Sequence, residues 1–128
     1  MKRYLMGLDA GTTSFKAALF DEEKNLAASV TTDYDLLTPG ENIVEFPAEA
    51  YWKIFCDTAK RLLAKANIRG EQVEAVALSS QGETLIALDA RCRPVGNAIV
   101  WLDNRAGREA DELRERFGVG QRSGRCDR

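Results

Sequence analysis

An α/β fold, in the broad sense that leaves α+β open, is what this chain predicts, and three observations predict it. Short apolar runs bounded by turn residues open the chain. A long central stretch then carries apolar residues at spacings of three and four, and further short runs lead to a second stretch of the same kind. The order strands, helix, strands, helix fits neither an all-helical bundle nor an all-β sandwich. With 128 residues, 45% of them hydrophobic, the chain is the size of one domain and holds enough apolar material for a core.

The elements follow in order. Tyr4 to Leu8 is an apolar run ended by Asp9, and Phe15 to Phe20 is a second. Ala10-Gly11-Thr12-Thr13-Ser14 between them has turn chemistry, so a hairpin opens the domain. Asp21 to Asn25 makes the next turn, and Leu26 to Thr32 completes an antiparallel meander. Thr38-Pro39-Gly40-Glu41-Asn42 is expected as a loop, with Pro47 in the first turn of a helix. Trp52, Phe55, Ala59, Leu62, Leu63 and Ala66 form the apolar face of that helix, and Asn67 to Gly70 ends it. Phe46 stands where a capping serine or aspartate is usual, which predicts a frayed start or a neighbouring group standing in.

Val73 to Leu78 is a buried-strand candidate, followed by the polar corner Ser79-Ser80-Gln81-Gly82-Glu83 and a further strand over Thr84 to Leu88. After a turn at Arg91 to Gly96, a strand over Asn97 to Leu102 delivers Trp101 and Asp103. A last helix, from about Arg105 to Phe117, shows Ala106, Ala110, Leu113 and Phe117 on one face. The tail from Gly118 to Arg128 has almost no apolar side chains and is expected to be mobile. The domain is thus expected over 1–117 and a disordered, aberrant tail over 118–128.

Composition excludes several classes. A formal net charge of -2 gives no global field to attract nucleic acid or an anionic membrane. The opening apolar stretch is broken by Gly7 and Asp9, too short for a signal segment or a membrane span. Cys56, Cys92 and Cys126 form no close pair, and the chain has no histidine to complete a metal site, so they read as reduced cytosolic thiols. A soluble cytoplasmic protein acting on a small molecule is expected.

Three segments could carry chemistry. In Asp9-Ala10-Gly11-Thr12-Thr13-Ser14-Phe15-Lys16 a tight glycine turn lets phosphate oxygens approach backbone N–H groups, with hydroxyls and a lysine adding donors. Asp9 could hold Mg²⁺, directly or through water, because hard cations prefer carboxylate oxygen. An ordinary hairpin turn uses the same residue types. Gln81-Gly82-Glu83-Thr84 offers the paired donors and acceptors that a polyhydroxyl ligand needs, as a solvated loop also would. Trp101 could lie against sugar C–H surfaces or belong to the core, with Asp103 and Arg105 close by.

The motif Asp9-x-Gly11-Thr12-Thr13 resembles the first phosphate loop of the actin-like ATPase superfamily. Together with the Gln81-x-Glu83-Thr84 corner, the Asn97-Ala98-Ile99-Val100-Trp101 strand and Asp103-x-Arg105, it resembles the amino-terminal part of FGGY carbohydrate kinases, over about Tyr4 to Phe117. That resemblance implies a ribonuclease H-like lobe, truncated, with a mixed sheet and flanking helices. It also implies transfer of the γ-phosphoryl group of MgATP to a sugar or polyol hydroxyl. Asp9 would then organise Mg²⁺, with Gly11, Thr12, Thr13, Ser14 and Lys16 on the nucleotide phosphates. Gln81, Glu83, Trp101 and Asp103 would face the acceptor.

Two departures stand out. Gly82 occupies the place where glycerol kinases carry an arginine, which removes a donor fork and argues against glycerol as acceptor. The Met-His pair of xylulose kinases is absent from the same corner. FGGY kinases are several times longer, and the aspartate acting as their general base is expected beyond residue 128, so this chain alone is expected to be an inactive fragment. The resemblance leaves a homodimer open for the full-length parent. Another actin-like ATPase and a non-catalytic sugar- or nucleotide-binding module are the alternative readings.

Overall fold

The computed structural model describes residues 2–118. The expected mobile tail, apart from Gly118, lies outside the described residues. Seven strands and two helices follow one another: β1 Tyr4–Ala10, β2 Ser14–Phe20, β3 Leu26–Asp33, β4 Leu37–Gly40, β5 Ile43–Phe46, α1 Ala48–Ala66, β6 Val73–Ser80, β7 Ala98–Ile99 and α2 Gly107–Phe117.

The strands form two sheets. The larger has the order β3-β2-β1-β6, with the expected antiparallel meander of β1, β2 and β3. β6 joins β1 in parallel, placing Asp9 opposite Ser79 and Ala10 opposite Ser80. A parallel neighbour requires a crossover, and the long segment containing α1 supplies it. The sheet is therefore mixed, with a helix on one face. Period-two alternation sends Met6, Leu8, Phe15, Ala17 and Leu19 toward that face, where Leu62 of α1 closes the core. Thr58 is fully buried beside it and shares a 2.7 Å hydrogen bond with Thr32, so its hydroxyl enters the core with a partner.

Several expectations need correction. The segment Thr38 to Asn42, expected as a loop, lies in a hairpin: β4 and β5 pair antiparallel, Asn42 takes the left-handed turn conformation at φ 61, and β7 adds the third strand. Pro39 is tolerated because β4 is an edge strand, where a missing N–H breaks no ladder on its outer side. The cap of α1 is Pro47, one residue before the expected first turn, and no side chain satisfies it; Phe46 is instead the buried last residue of β5. Asn67 ends the helix in the left-handed conformation at φ 52.

Thr84 to Leu88 is no strand. Leu85 exchanges two backbone hydrogen bonds with Ile99, but Leu85, Ile86 and Leu88 stay exposed, so their apolar pattern meets no packing surface among the described residues. The strand expected over Asn97 to Leu102 shortens to Ala98–Ile99, and Trp101 follows in a turn. Trp52, expected on the buried face of α1, is 69% exposed and stacks on Phe55, with ring centroids 5.0 Å apart. α2 carries no buried residue, and Leu113 and Phe117 face solvent.

Candidate functional site

The turn joining β1 to β2 closes through a hydrogen bond from the Gly11 N–H to the Ser14 carbonyl, 3.0 Å long. A Cβ at position 11 would lie 3.0 Å from that same carbonyl oxygen, so any larger residue would push the turn open by a few tenths of an ångström and glycine is favoured. Three further carbonyls and one hydroxyl anchor the loop. Ala10 O accepts from the Gln81 N–H at 2.8 Å, Thr13 O from the Tyr34 N–H at 3.0 Å, and Gly11 O from the Tyr34 hydroxyl. Trp101 Nε1 donates to Thr12 Oγ1 at 2.9 Å. The N–H groups of Thr12 and Thr13 find no acceptor among the described residues. A held loop with unpaired N–H groups can receive an anion.

Asp9 and Lys16 sit opposite each other on β1 and β2, both exposed. Alternation puts them on the sheet face away from the α1 core. They line a depression of about 520 Å³ there, with Gly7, Ala18 and Phe20. A separate cleft of about 460 Å³ is lined by Thr12, Gln81, Gly82, Glu83 and Trp101. The structure thus brings one hydroxyl of the phosphate-loop candidate together with three of the four acceptor candidates, and leaves Asp9 and Lys16 on the adjoining face.

The corner after β6 is built on the parallel ladder, which the bond from Gln81 N to Ala10 O extends. Gln81 Nε2 donates to the Tyr51 hydroxyl at 3.1 Å. Gln81 Oε1 and Thr84 Oγ1 are buried and have no hydrogen-bond partner among the described residues. Glu83 adopts φ 62, a conformation that costs a non-glycine residue about 1–2 kcal/mol and that clusters at functional sites. A Cβ at Gly82 would meet nothing within 4 Å, so packing does not demand glycine there.

Asp103 is held differently. Its Oδ2 accepts from the Val44 N–H at 2.7 Å and from Arg105 Nη2 at 2.8 Å, and its Oδ1 from Arg105 Nε at 2.9 Å and the Arg105 N–H at 3.0 Å. Both oxygens are occupied within the chain, and the side chain is 3% exposed. The Arg105 hydrogen bonds, helped by the Val44 N–H, hold its carboxyl far below the usual carboxylate range, overcoming the opposite push of burial. Arg105 also reaches Glu45 at 2.7 Å, and Asn97 donates to Glu45 at 2.8 Å. These bonds lower the pKa of Glu45, with that from Asn97 contributing most. The cluster ties β5 to the turn that carries Trp101, and so keeps the indole beside Thr12.

Sequence reasoning missed Tyr34, Tyr51 and the Glu45 latch. The signal for Tyr34 was its place directly after β3, which pairs with the strand leaving the glycine turn. Nothing local marks Tyr51 or Glu45, since both act across the fold.

Comparison with known proteins agrees with this architecture. Residues 4–124 match the N-terminal domain of the FGGY family of carbohydrate kinases. A glycerol kinase of Clostridium perfringens is 36% identical over 120 residues, which cover 93% of this chain and 24% of that protein. Glycerol kinase 2 of Thermotoga maritima is 35% identical, with 89% and 23% covered. Among solved structures, ligand-bound xylulose kinase from Lactobacillus acidophilus superposes with a TM-score of 0.82 at 28% identity, covering 89% of this chain and 23% of that one. Gluconate kinase from the same organism gives 0.78 at 29% identity, with 91% and 23% covered. The chain spans about a quarter of the length of the relatives it matches. With the glycine turn, the glutamine-glutamate corner and the Trp101 turn gathered around one cleft, and with this match running over nearly all of the described residues, the chain belongs to the FGGY family of carbohydrate kinases, as a member of its N-terminal domain.

Proposed function

We propose that the chain supplies the phosphate-binding loop and one wall of the acceptor pocket of an ATP-dependent sugar or polyol kinase of the cytoplasm. The observation that carries this reading is the hydrogen bond from Trp101 to Thr12, which joins the acceptor-side aromatic to the phosphate-side hydroxyl in the cleft shared with Gln81 and Glu83. Phosphoryl transfer depends on positioning and charge neutralisation, and a loop with unpaired N–H groups beside a polar corner suits that demand. In this reading Thr12, Thr13, Ser14 and Lys16 serve the phosphates, and Gln81, Glu83 and the face of Trp101 serve the acceptor. Asp103, saturated by Arg105 and Val44, acts there by holding Trp101 in place.

The residues fit magnesium of a particular kind. No cluster of three or more acidic or cysteine side chains that could cage a metal occurs among the described residues. Asp9, a single exposed carboxylate at a strand end, matches a cation that keeps its waters and is shared with phosphates. Asp9 would hold it, and when bound the ion would neutralise phosphate charge.

Gly82 leaves the cleft mouth open and offers no donor fork, which favours an acceptor other than glycerol. No helix among the described residues is long and apolar enough to cross a membrane, and Cys56 and Cys92 form no disulfide among the described residues.

The test is NMR titration of the chain with tripolyphosphate and then with a panel of polyols and sugars. The amides of Gly11 to Ser14 should move with the first and those of Gln81 to Thr84 with one of the second. Absence of both responses would sink the reading. The same chain should form no ADP from ATP with any acceptor, and sugar-dependent turnover at ordinary kinase rates would show that it carries its own base.

A further inference from the structure

We propose that Tyr34 is the positioning residue of the phosphate loop, acting by fixing the peptide plane between Gly11 and Thr12. This rests on reading the Gly11 to Ser14 turn as a phosphate site. Tyr34 grips the turn twice, its hydroxyl donating to the Gly11 carbonyl and its backbone N–H to the Thr13 carbonyl at 3.0 Å. The Gly11 carbonyl and the Thr12 N–H belong to one planar trans unit and point in opposite directions. Holding the carbonyl oxygen against the Tyr34 hydroxyl on the inner side therefore turns the Thr12 N–H outward, where it has no acceptor among the described residues. A glycine is otherwise free to rotate this plane, so the cost of a disordered donor falls on anion binding unless something outside the turn holds it.

The ring of Tyr34 is placed to do this. It packs against Phe46, with centroids 4.6 Å apart, and edge-on against Tyr51 at 6.2 Å, so the phenol end cannot swing away from the loop. Burial, with smaller contributions from Tyr51 and Asp9, pushes the phenol pKa up to about 12. The group keeps its proton and remains a donor over the physiological range. Phe46 is the end of β5 and Tyr51 lies in α1, so the loop's orientation depends on two elements distant in sequence.

The experiment compares the isotope-labelled chain with its Tyr34→Phe variant, which keeps the ring and loses only the hydroxyl. Tripolyphosphate is titrated with and without Mg²⁺. In the wild type the Thr12 amide should show a large shift. Loss of one hydrogen bond should weaken tripolyphosphate about five- to tenfold in Tyr34→Phe and shrink the Thr12 response, while the amides of Ala17 and Leu19 keep their positions. A merely structural role would lower stability and leave the affinity of the folded variant unchanged. Wild-type affinity and an unchanged Thr12 response in Tyr34→Phe would overturn the assignment. If the wild type itself gives no response at Gly11 to Ser14, the phosphate reading fails and this inference with it. Should the variant not fold, the Tyr34 hydroxyl proton of the wild type decides: slow exchange with water is expected, and exchange at the rate of an exposed tyrosine overturns the bond.

Discussion

Trp101 and Thr12, 89 positions apart in the chain, are joined by a 2.9 Å hydrogen bond from the indole N–H to the hydroxyl oxygen. An indole can only donate, whereas a hydroxyl oxygen accepts and still has its own proton to give. The bond therefore leaves the Thr12 proton free to point toward an incoming anion. It also makes the indole a sensor of events at the loop.

Fluorescence should register this. In a Trp52→Phe chain the remaining indole is Trp101, and tripolyphosphate should change its emission. In a Trp101→Phe chain the emission comes from Trp52, which is stacked on Phe55 in α1, and the same titration should leave it flat. An equal response from both chains would separate Trp101 from the loop.

Gly82→Arg tests the open cleft. Because a Cβ at position 82 meets nothing within 4 Å and the rest of the side chain extends into the open cleft, stability in urea should stay within about 0.5 kcal/mol of the wild type. The arginine should crowd the mouth shared with Glu83 and Trp101, weakening a pentose or hexose more than glycerol in calorimetric titration. A loss of stability above that range would mean the corner needs glycine for its own conformation.

The Asp103 latch predicts an acid-sensitive stability. Its folded pKa is depressed, so the stabilisation is present above the unfolded value of about 4 and is lost as pH falls from there through the folded value. Urea unfolding as a function of pH should show the wild type losing stability in that window. Asp103→Asn, unable to pair with Arg105 in the same way, should be less stable at neutral pH and should converge with the wild type in acid. Parallel curves would show that the carboxylate's charge is not what holds the latch.

Two substitutions on α1 separate core from surface. Leu62→Ala, at a position with no exposed area, should cost about 2–5 kcal/mol in denaturant unfolding. Trp52→Ala should cost less than about 1 kcal/mol despite the larger side chain, because Trp52 stands mostly in solvent. Comparable losses would place Trp52 in a contact that the described residues do not show.

Much of the site was readable from local chemistry. The glycine turn announced itself because Gly11 sits between two apolar runs with hydroxyl residues after it, and β1, β2, β3 and α1 each carry their own pattern. The run from Val73 to Leu78 does form a strand, but not the buried one expected: Val76 and Leu78 of β6 are exposed. The β4–β5 hairpin was not readable, since Pro39, Gly40 and Asn42 look like a loop until β5 finds β7. Trp52 followed the helical period of its neighbours, yet it stands with Phe55 over an open cleft of about 510 Å³ whose far wall is Val76 and Leu78 of β6, and so stays exposed.

By itself, then, the sequence determined which segments bend, which extend and which carry donors, because turn preference and alternation are properties of adjacent residues. The tertiary structure alone decided what those segments meet. Parallel pairing of β1 with β6 set Gln81 against Ala10, the latch of Asp103, Arg105 and Glu45 put Trp101 beside Thr12, and Tyr34 reached Gly11. Apart from the local Asp103–Arg105 pair, each of those contacts joins residues that are distant in the chain, and their register comes from strand pairing and packing across the fold, which no local pattern encodes.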